Sequence, residues 1–149
     1  MTAGYNKVVQ LLLGKNHQLD TVVLVFSQPQ PPTLSKWENM AEDIDNRQID
    51  LSFYTEIWQK IENKKHQKAI ETVLEMKGIQ YISTPRPGVR RGGGTALACS
   101  QQNFVLTKLN ILIPSVFEAC FGILKPRNPR GKLSHFICVC FYSPPKSKF

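Results

Sequence analysis

The residues best placed to do chemistry begin in one short segment, Asp50 to Trp58. Apolar and polar side chains alternate from Leu51 to Thr55, and aromatic and β-branched types dominate, which predicts a half-buried strand. Glu56 follows at the carboxyl end of that strand, where open α/β sheets place ligands and metals. A carboxylate also suits the first turn of a following helix, because the helix dipole favours negative charge there. The pattern leaves both interpretations of Glu56 open.

A second segment combines guanidinium groups with a run of glycine. Arg90 and Arg91 precede Gly92, Gly93 and Gly94 and lead into a predicted strand. Glycine lets the backbone approach a ligand closely, and arginine matches the geometry of phosphate. The segment is not a Walker loop, because the Gly-Lys-Ser/Thr ending is missing and a strand follows instead of a helix. It indicates either a contact with a phosphate backbone or a tight turn between strands.

A third segment places a phenol near the end of the chain. Tyr142 ends the last predicted strand and is followed by Ser143, Pro144 and Pro145. A phenol in this position can hydrogen-bond a phosphate or a water molecule. The alternative is a buried tyrosine whose hydroxyl group is bonded within the protein.

Composition limits the class of protein. A chain of 149 residues is long enough for one domain with a sizeable core, and its net charge of +8 favours a polyanion, DNA or RNA, as partner. It has no apolar run long enough to span a bilayer, so no membrane partner is expected. The four cysteines form no CxxC pair, which predicts buried free thiols in a reducing intracellular compartment, nuclear or cytoplasmic.

The elements that would position these residues follow from periodicity. Residues 1–20 stay unassigned, since their apolar run fits a short helix or a strand closed by Gly14. Two helices are predicted, one from a capping pattern at Ser35 and Glu38 and one that ends at Gly78. The predicted strands are Thr21 to Phe26, Asp50 to Trp58, Ile79 to Ser83, Thr95 to Cys99, Phe104 to Leu112, Val116 to Leu124 and Phe136 to Phe141. This order predicts an α+β protein with a mixed or antiparallel sheet and two main helices.

The three segments, in this order and rough spacing, resemble the endonuclease/exonuclease/phosphatase superfamily. They are most similar to the endonuclease domain of non-LTR retrotransposon polyproteins. The matching segments are Thr55-Glu56-Ile57-Trp58, Arg91-Gly92-Gly93-Gly94-Thr95-Ala96 and Phe141-Tyr142-Ser143-Pro144-Pro145. The resemblance implies an incomplete α/β sandwich of that type, with residues 21–149 as the N-terminal portion of the domain, truncated at its C-terminus.

The resemblance also implies roles for individual residues. Glu56 would bind the catalytic Mg2+, whose preferred ligands are carboxylate oxygens. Tyr142 would contact the scissile phosphate. Arg90 and Arg91 would lie near the DNA strand, together with the loop glycines Gly92 and Gly93.

Several features of that family are missing from this chain. Its first strand carries an asparagine, whereas the matching place here is Phe26-Ser27-Gln28. The later Gly-Asp-x-Asn and Ser-Asp-His motifs of the family do not occur before Phe149. The sequence therefore predicts a retrotransposon-derived, endonuclease-like domain that is inactive as it stands.

Two alternatives stay open beside this interpretation. One is a basic nucleic-acid-binding remnant without catalysis that uses Arg86, Arg90, Arg91, Arg127, Arg130 and Lys132. The other is a chain without a selected function, and whether the chain folds distinguishes it. Because each half of this superfamily's fold contributes one sheet, we also expect an uncovered sheet face, with self-association through residues such as Ile111, Ile113, Phe117, Phe121 and Ile137.

Overall fold

The structure is a computed structural model that describes residues 7–12, 21–27, 34–46, 49–55, 57, 64–86, 92–114, 117–128 and 134–143. It contains ten elements in the order β1 (Lys7–Leu12), β2 (Thr21–Ser27), α1 (Leu34–Asn46), β3 (Leu51–Thr55), α2 (Lys64–Met76), β4 (Ile79–Thr84), β5 (Thr95–Ser100), β6 (Phe104–Leu109), β7 (Glu118–Pro126) and β8 (Phe136–Tyr142).

These strands form two sheets. The first has five strands in the order β1-β2-β3-β5-β4, in which β2 and β3 are parallel and the other neighbours are antiparallel. The second has three antiparallel strands in the order β6-β7-β8. The predicted α+β class, with two helices, a mixed sheet and an antiparallel sheet, is confirmed.

Both helices pack on one face of the first sheet. Trp37, Ala41 and Ile44 form an apolar stripe along α1, and all three are buried. The Trp37 ring meets the rings of Tyr54 and Tyr81 edge-on, at centroid distances of 5.6 and 5.2 Å. Aromatic pairs favour this geometry, which fixes α1 above the centre of the sheet.

The second sheet packs on the opposite face of the first. Their shared core contains Leu51, Phe53 and Leu97 from the first sheet, and Phe104, Leu106, Cys120, Leu124, Cys138 and Cys140 from the second. Gly122 lets the sheets approach, because a Cβ there would lie 2.9 Å from Ile82 Cδ1 and Leu106 Cδ1. Both sheets come from this chain, and the second sheet covers this face of the first.

The exposed apolar surface lies instead on the other side of the second sheet. Ile137, Val139 and Phe141 alternate with the buried Cys138 and Cys140, and Ile137 is 68% exposed. Among the residues expected to be uncovered, Ile111 is exposed, whereas Ile113, Phe117 and Phe121 are half-buried.

β3 differs from its prediction in burial. Leu51 to Tyr54 are all buried, whereas alternation predicted a strand covered on one face. Leu51 and Phe53 face the second sheet and Tyr54 faces α1, so both faces of β3 are covered. Ser52 fits this environment because its hydroxyl donates to the Ala98 carbonyl at 3.3 Å.

The ends of the helices and strands differ less from their predicted positions than β3 differs from its predicted burial. β6 ends at Leu109 instead of Leu112, and Leu112 is fully exposed. α2 ends as predicted, with Gly78 at φ +72° immediately after its last turn. Part of the unassigned N-terminal segment is strand β1, which pairs with β2 at the edge of the first sheet; Gly14 lies outside the described residues.

Neither helix in the described ranges is long and apolar enough to cross a membrane.

Candidate functional site

Strand ends from both sheets meet at one end of the sandwich. Thr55 ends β3 and pairs with Thr95, the first residue of β5, which also pairs with Thr84 at the end of β4. Ser27, the last residue of β2, pairs with Tyr54 and so reaches the same end. This is the carboxyl edge of the parallel pair β2–β3, where α/β sheets commonly bind ligands.

The second sheet contributes the start of β7 and the end of β8. Glu118 and Tyr142 are directly opposite each other in this antiparallel pair. The Cys140 thiol, two residues before Tyr142, donates to the Tyr54 carbonyl at 3.3 Å. Tyr142 therefore lies at the predicted strand end and on the same side of the molecule as Thr55.

Glu118 is the main polar centre described at this end. It is only 6% exposed, and its two carboxylate oxygens accept from two different partners. The Arg86 guanidinium Nε donates to Oε1 in an ion pair, and the Gly94 backbone N–H donates to Oε2 at 3.0 Å. A buried carboxylate needs such partners, because water no longer stabilises its charge.

The glycine run lies against this centre. Gly92, Gly93 and Gly94 have φ values of +77°, +74° and +85°, a region that residues with a Cβ rarely adopt. A Cβ on Gly93 would overlap the Arg86 guanidinium, and one on Gly94 would lie 2.8 Å from Ile57 Cγ1. The Gly94 carbonyl also accepts from the Ile57 N–H at 3.5 Å, so this glycine links the end of β3 to Glu118.

Three of the residues predicted from the sequence are thus found together. Gly92, Gly93 and Tyr142 lie at this end of the sandwich, whereas Glu56, Arg90 and Arg91 lie outside the described residues. Thr55 and Ile57, on either side of Glu56, belong to the same end. The first helix described after β3 is α2, which the structure describes from Lys64 onward.

Sequence reasoning missed Glu118. It is an acidic residue at the start of an otherwise apolar strand, Ala119 to Leu124, which is a detectable signal for a buried charge. Its partner Arg86 is 32 positions away, and no local pattern connects the two. Arg86 was expected to bind nucleic acid, but its guanidinium is instead largely buried against Glu118.

Of the six basic residues proposed for nucleic-acid binding, the structure describes Arg86 and Arg127. Arg127 follows β7 at the opposite end from Glu118, where its guanidinium donates to the Gln101 carbonyl at 2.5 Å. Since β7 has nine residues, the two ends are about 27 Å apart. Arg130 and Lys132 lie outside the described residues.

The described residues do not fit a magnesium ion. In these ranges no group of three or more His, Cys, Asp or Glu side chains could hold a metal. Both carboxylate oxygens of Glu118 already accept hydrogen bonds, from Arg86 and Gly94. Burial raises the pKa of the Tyr54 phenol above its ordinary value, so that phenol stays neutral. The described side chains therefore offer no site for metal-assisted chemistry.

No protein-family model matches the chain, and no curated protein sequence matches it. Solved structures similar to it include ANGEL2, a 2′,3′-cyclic phosphatase, in complex with adenosine-2′,3′-vanadate. That match has 15% identity and a TM-score of 0.46, and it covers 68% of this chain and 30% of the ANGEL2 chain. The human Nocturnin catalytic domain with bound sulfate anion matches at 16% identity and a TM-score of 0.45, covering 70% of this chain and 41% of that domain.

Both of these proteins belong to the endonuclease/exonuclease/phosphatase superfamily. The chain spans less than half the length of each.

Proposed function

We propose that the chain is an endonuclease-like domain of retrotransposon descent that contacts nucleic acid but does not hydrolyse it by itself. The main support is the environment of Glu118, the buried carboxylate at the end of the sandwich where the strand ends meet. Both of its oxygens accept hydrogen bonds from the protein. With a side chain that is only 6% exposed and a partner on each oxygen, Glu118 is poorly placed to bind a metal or to act as a general base.

Hydrolysis of a phosphodiester requires a base or a metal to activate water and a cation to stabilise the developing charge. Glu56 is the remaining candidate ligand, by resemblance. One carboxylate holds Mg2+ weakly, because the ion otherwise keeps its own water molecules. The ancestral reaction would need further ligands besides Glu56.

Contact with nucleic acid is supported by charge. Arg90 and Arg91 directly precede Gly92 in the chain, and the net charge of +8 favours a polyanion. Because the Arg86–Glu118 pair is neutral as a unit, it does not cancel the charge of these two arginines. We propose that they bind the phosphate backbone of DNA or RNA, in a nuclear or cytoplasmic setting.

The first experiment measures hydrolysis. Purified chain is incubated with supercoiled plasmid and Mg2+, and the expected result is no nicking above a buffer control. The melting temperature with and without Mg2+ is recorded in parallel, and we expect no rise. Nicking that Glu56→Ala abolishes would contradict the proposed inactivity.

The second experiment measures binding. Fluorescence anisotropy with labelled 20-nucleotide DNA and RNA should give an affinity that falls steeply with salt. Replacing Arg90 and Arg91 by alanine should weaken binding more than replacing Lys64 and Lys65, which are exposed on α2 and carry the same charge. Equal losses from the two pairs would mean that net charge, not the glycine loop, determines binding.

A further inference from the structure

The two outer strands of the second sheet, β6 and β8, differ in how their open edges are covered. The edge of β6 is occupied by a side chain from the first sheet, because the Gln80 carboxamide donates to the Phe104 carbonyl at 2.7 Å and accepts from the Leu106 N–H at 3.0 Å. This carboxamide bonds the backbone as a neighbouring strand would. Lys108 of β6 in turn donates to the Ser83 carbonyl of β4 at 2.5 Å, so this side of the sandwich is closed.

β8 has no strand on its second edge among the residues that the structure describes. Its seven residues pair with β7 in one unbroken register, without a bulge. Proteins usually protect an edge strand of this length with lysine, proline or a bulge. The segment Phe136–Tyr142 contains neither a charged residue nor proline. We therefore expect this edge to accept a further strand.

The order of residue types along β8 is nearly the same in both directions. Val139 is at the centre with a cysteine on each side, followed by Ile137 and Phe141, and an aromatic residue is at each end. When two such strands pair antiparallel about Val139, each side chain meets one of similar kind, and the cysteines stay on the core side of the joined sheet. A two-fold symmetric interface requires this self-complementarity, because the same segment must fit its own copy. The pattern therefore favours a second copy of this chain over an unrelated partner.

We propose that β8 is a dimer interface at which two copies of the chain pair antiparallel about Val139. Their three-stranded sheets then form one six-stranded sheet. Ile137 of each copy lies opposite Phe141 of the other, and cross-strand apolar pairs of this kind stabilise antiparallel sheets. Since β8 carries no charge, the net charge of +8 on each copy opposes the dimer only at longer range. The proposal goes beyond the proposed function and does not depend on it.

Val139→Cys tests the register of this dimer. In the proposed pair the two residues at position 139 are directly opposite, with α-carbons about 5 Å apart, within the limit of about 7 Å for a disulfide. Val139 is exposed, so the fold should tolerate the substitution. Under mild oxidation, Val139→Cys should form several-fold more disulfide-linked dimer than the parent on a non-reducing gel. Dimers that instead stack the outer faces of their second sheets hold the backbones about 10 Å apart, too far for this bond.

Ile137→Cys is the matched control on the same face of the same strand. Ile137 is more exposed than Val139, but in this register it faces Phe141 of the other copy. The two residues at position 137 are then about 14 Å apart along the paired strands. Ile137→Cys should therefore give no more dimer than the parent, whereas a mixture with Phe141→Cys should give a cross-linked heterodimer. The parent measures the background from Cys138 and Cys140, which face the core.

A second readout uses the parent chain alone. Sedimentation should show a monomer–dimer equilibrium that shifts toward the dimer as salt screens the repulsion between copies, whereas binding to nucleic acid weakens with salt. Edge pairing gives β8 amides new hydrogen bonds. Some of them should therefore exchange about tenfold more slowly at a concentration where the dimer predominates, while β6 amides exchange as in the monomer.

Val139→Cys that gives no more dimer than the parent would overturn the proposal, as would Ile137→Cys that gives as much dimer as Val139→Cys. If neither variant has a cooperative thermal transition, the parent chain decides. A parent that stays monomeric up to its solubility limit, or a dimer whose β8 amides exchange at a rate independent of concentration, contradicts edge pairing.

Discussion

At the scale of single residues, the four cysteines are all buried in the core between the sheets and are free thiols. Cys138 and Cys140 alternate along β8, and both face the core. Burial raises the pKa of Cys99 and Cys140 to about 12, and that of Cys138 to about 11, from an ordinary value of 9.0. These thiols are therefore protonated and unreactive at neutral pH.

This shift predicts how stability depends on pH. Between pH 9 and about 12 the unfolded chain loses thiol protons that the folded chain keeps, so the free energy of unfolding falls as pH rises. Below pH 9 the stabilising contribution of the buried, protonated thiols to the folded chain is fully present. Urea unfolding should therefore have a lower midpoint at pH 10 than at pH 7.5.

Cys140→Ala provides the control for the thiol contribution. The difference in unfolding free energy between the two pH values should be smaller in this variant than in the parent, even though the variant is less stable at both. A midpoint that stays constant from pH 7.5 to 10 would contradict the assignment of these thiols to the folded core.

At the scale of elements, α1 depends on Trp37. This side chain is 1% exposed between Tyr54 and Tyr81, and its indole N–H has no partner in the part of the chain that the structure describes. The ring thus contributes through packing and not through a hydrogen bond. Aromatic packing of this kind is the principal link between α1 and the first sheet.

Trp37→Ala should lower the free energy of unfolding by about 3–5 kcal/mol, the usual cost of removing a large buried ring. Trp37→Phe keeps an aromatic ring and loses only an unbonded N–H, so its cost should be clearly smaller. Chemical denaturation of both variants measures the difference. Equal costs would show that the indole N–H has a partner after all.

The elements also show how far sequence reasoning extends. Periodicity predicted both helices and most strands, because an apolar stripe or a β-branched run is a local property. It predicted β3 as half-buried because Ser52 and Tyr54 count as polar residues. In the structure both are buried, since the Ser52 hydroxyl makes a buried hydrogen bond and the Tyr54 ring packs against the Trp37 ring. The Arg86–Glu118 pair was not predictable, since it forms only when β4 and β7 meet in different sheets.

At the scale of the whole molecule, the sandwich has three layers: two helices, a five-stranded sheet and a three-stranded sheet. The outer face of the three-stranded sheet carries exposed Ile137, Val139 and Phe141. Exposed apolar patches favour association. This face includes Ile137, one of the residues expected to be uncovered, and self-association through it stays a prediction.

Val139→Thr should reduce self-association, measured by light scattering, with a change in unfolding free energy within about 0.5 kcal/mol, because Val139 is exposed. Cys138→Thr is the matched control from the opposite face. It places a hydroxyl in the core and should lower stability by about 1–3 kcal/mol without reducing association. Association that Val139→Thr leaves unchanged would exclude this face as the site of self-association.

The composition of β8 has one more consequence. Phe136 to Phe141 contains six residues of high β propensity, without charge or proline, at the edge of a sheet. Segments of this type stack into steric zippers when they are free of their native neighbours. In the folded chain β7 pairs with one side of this strand. Until β7 pairs with this strand both of its sides are open, so we expect cross-β aggregation to compete with folding and to lower the yield of native protein at high expression rates.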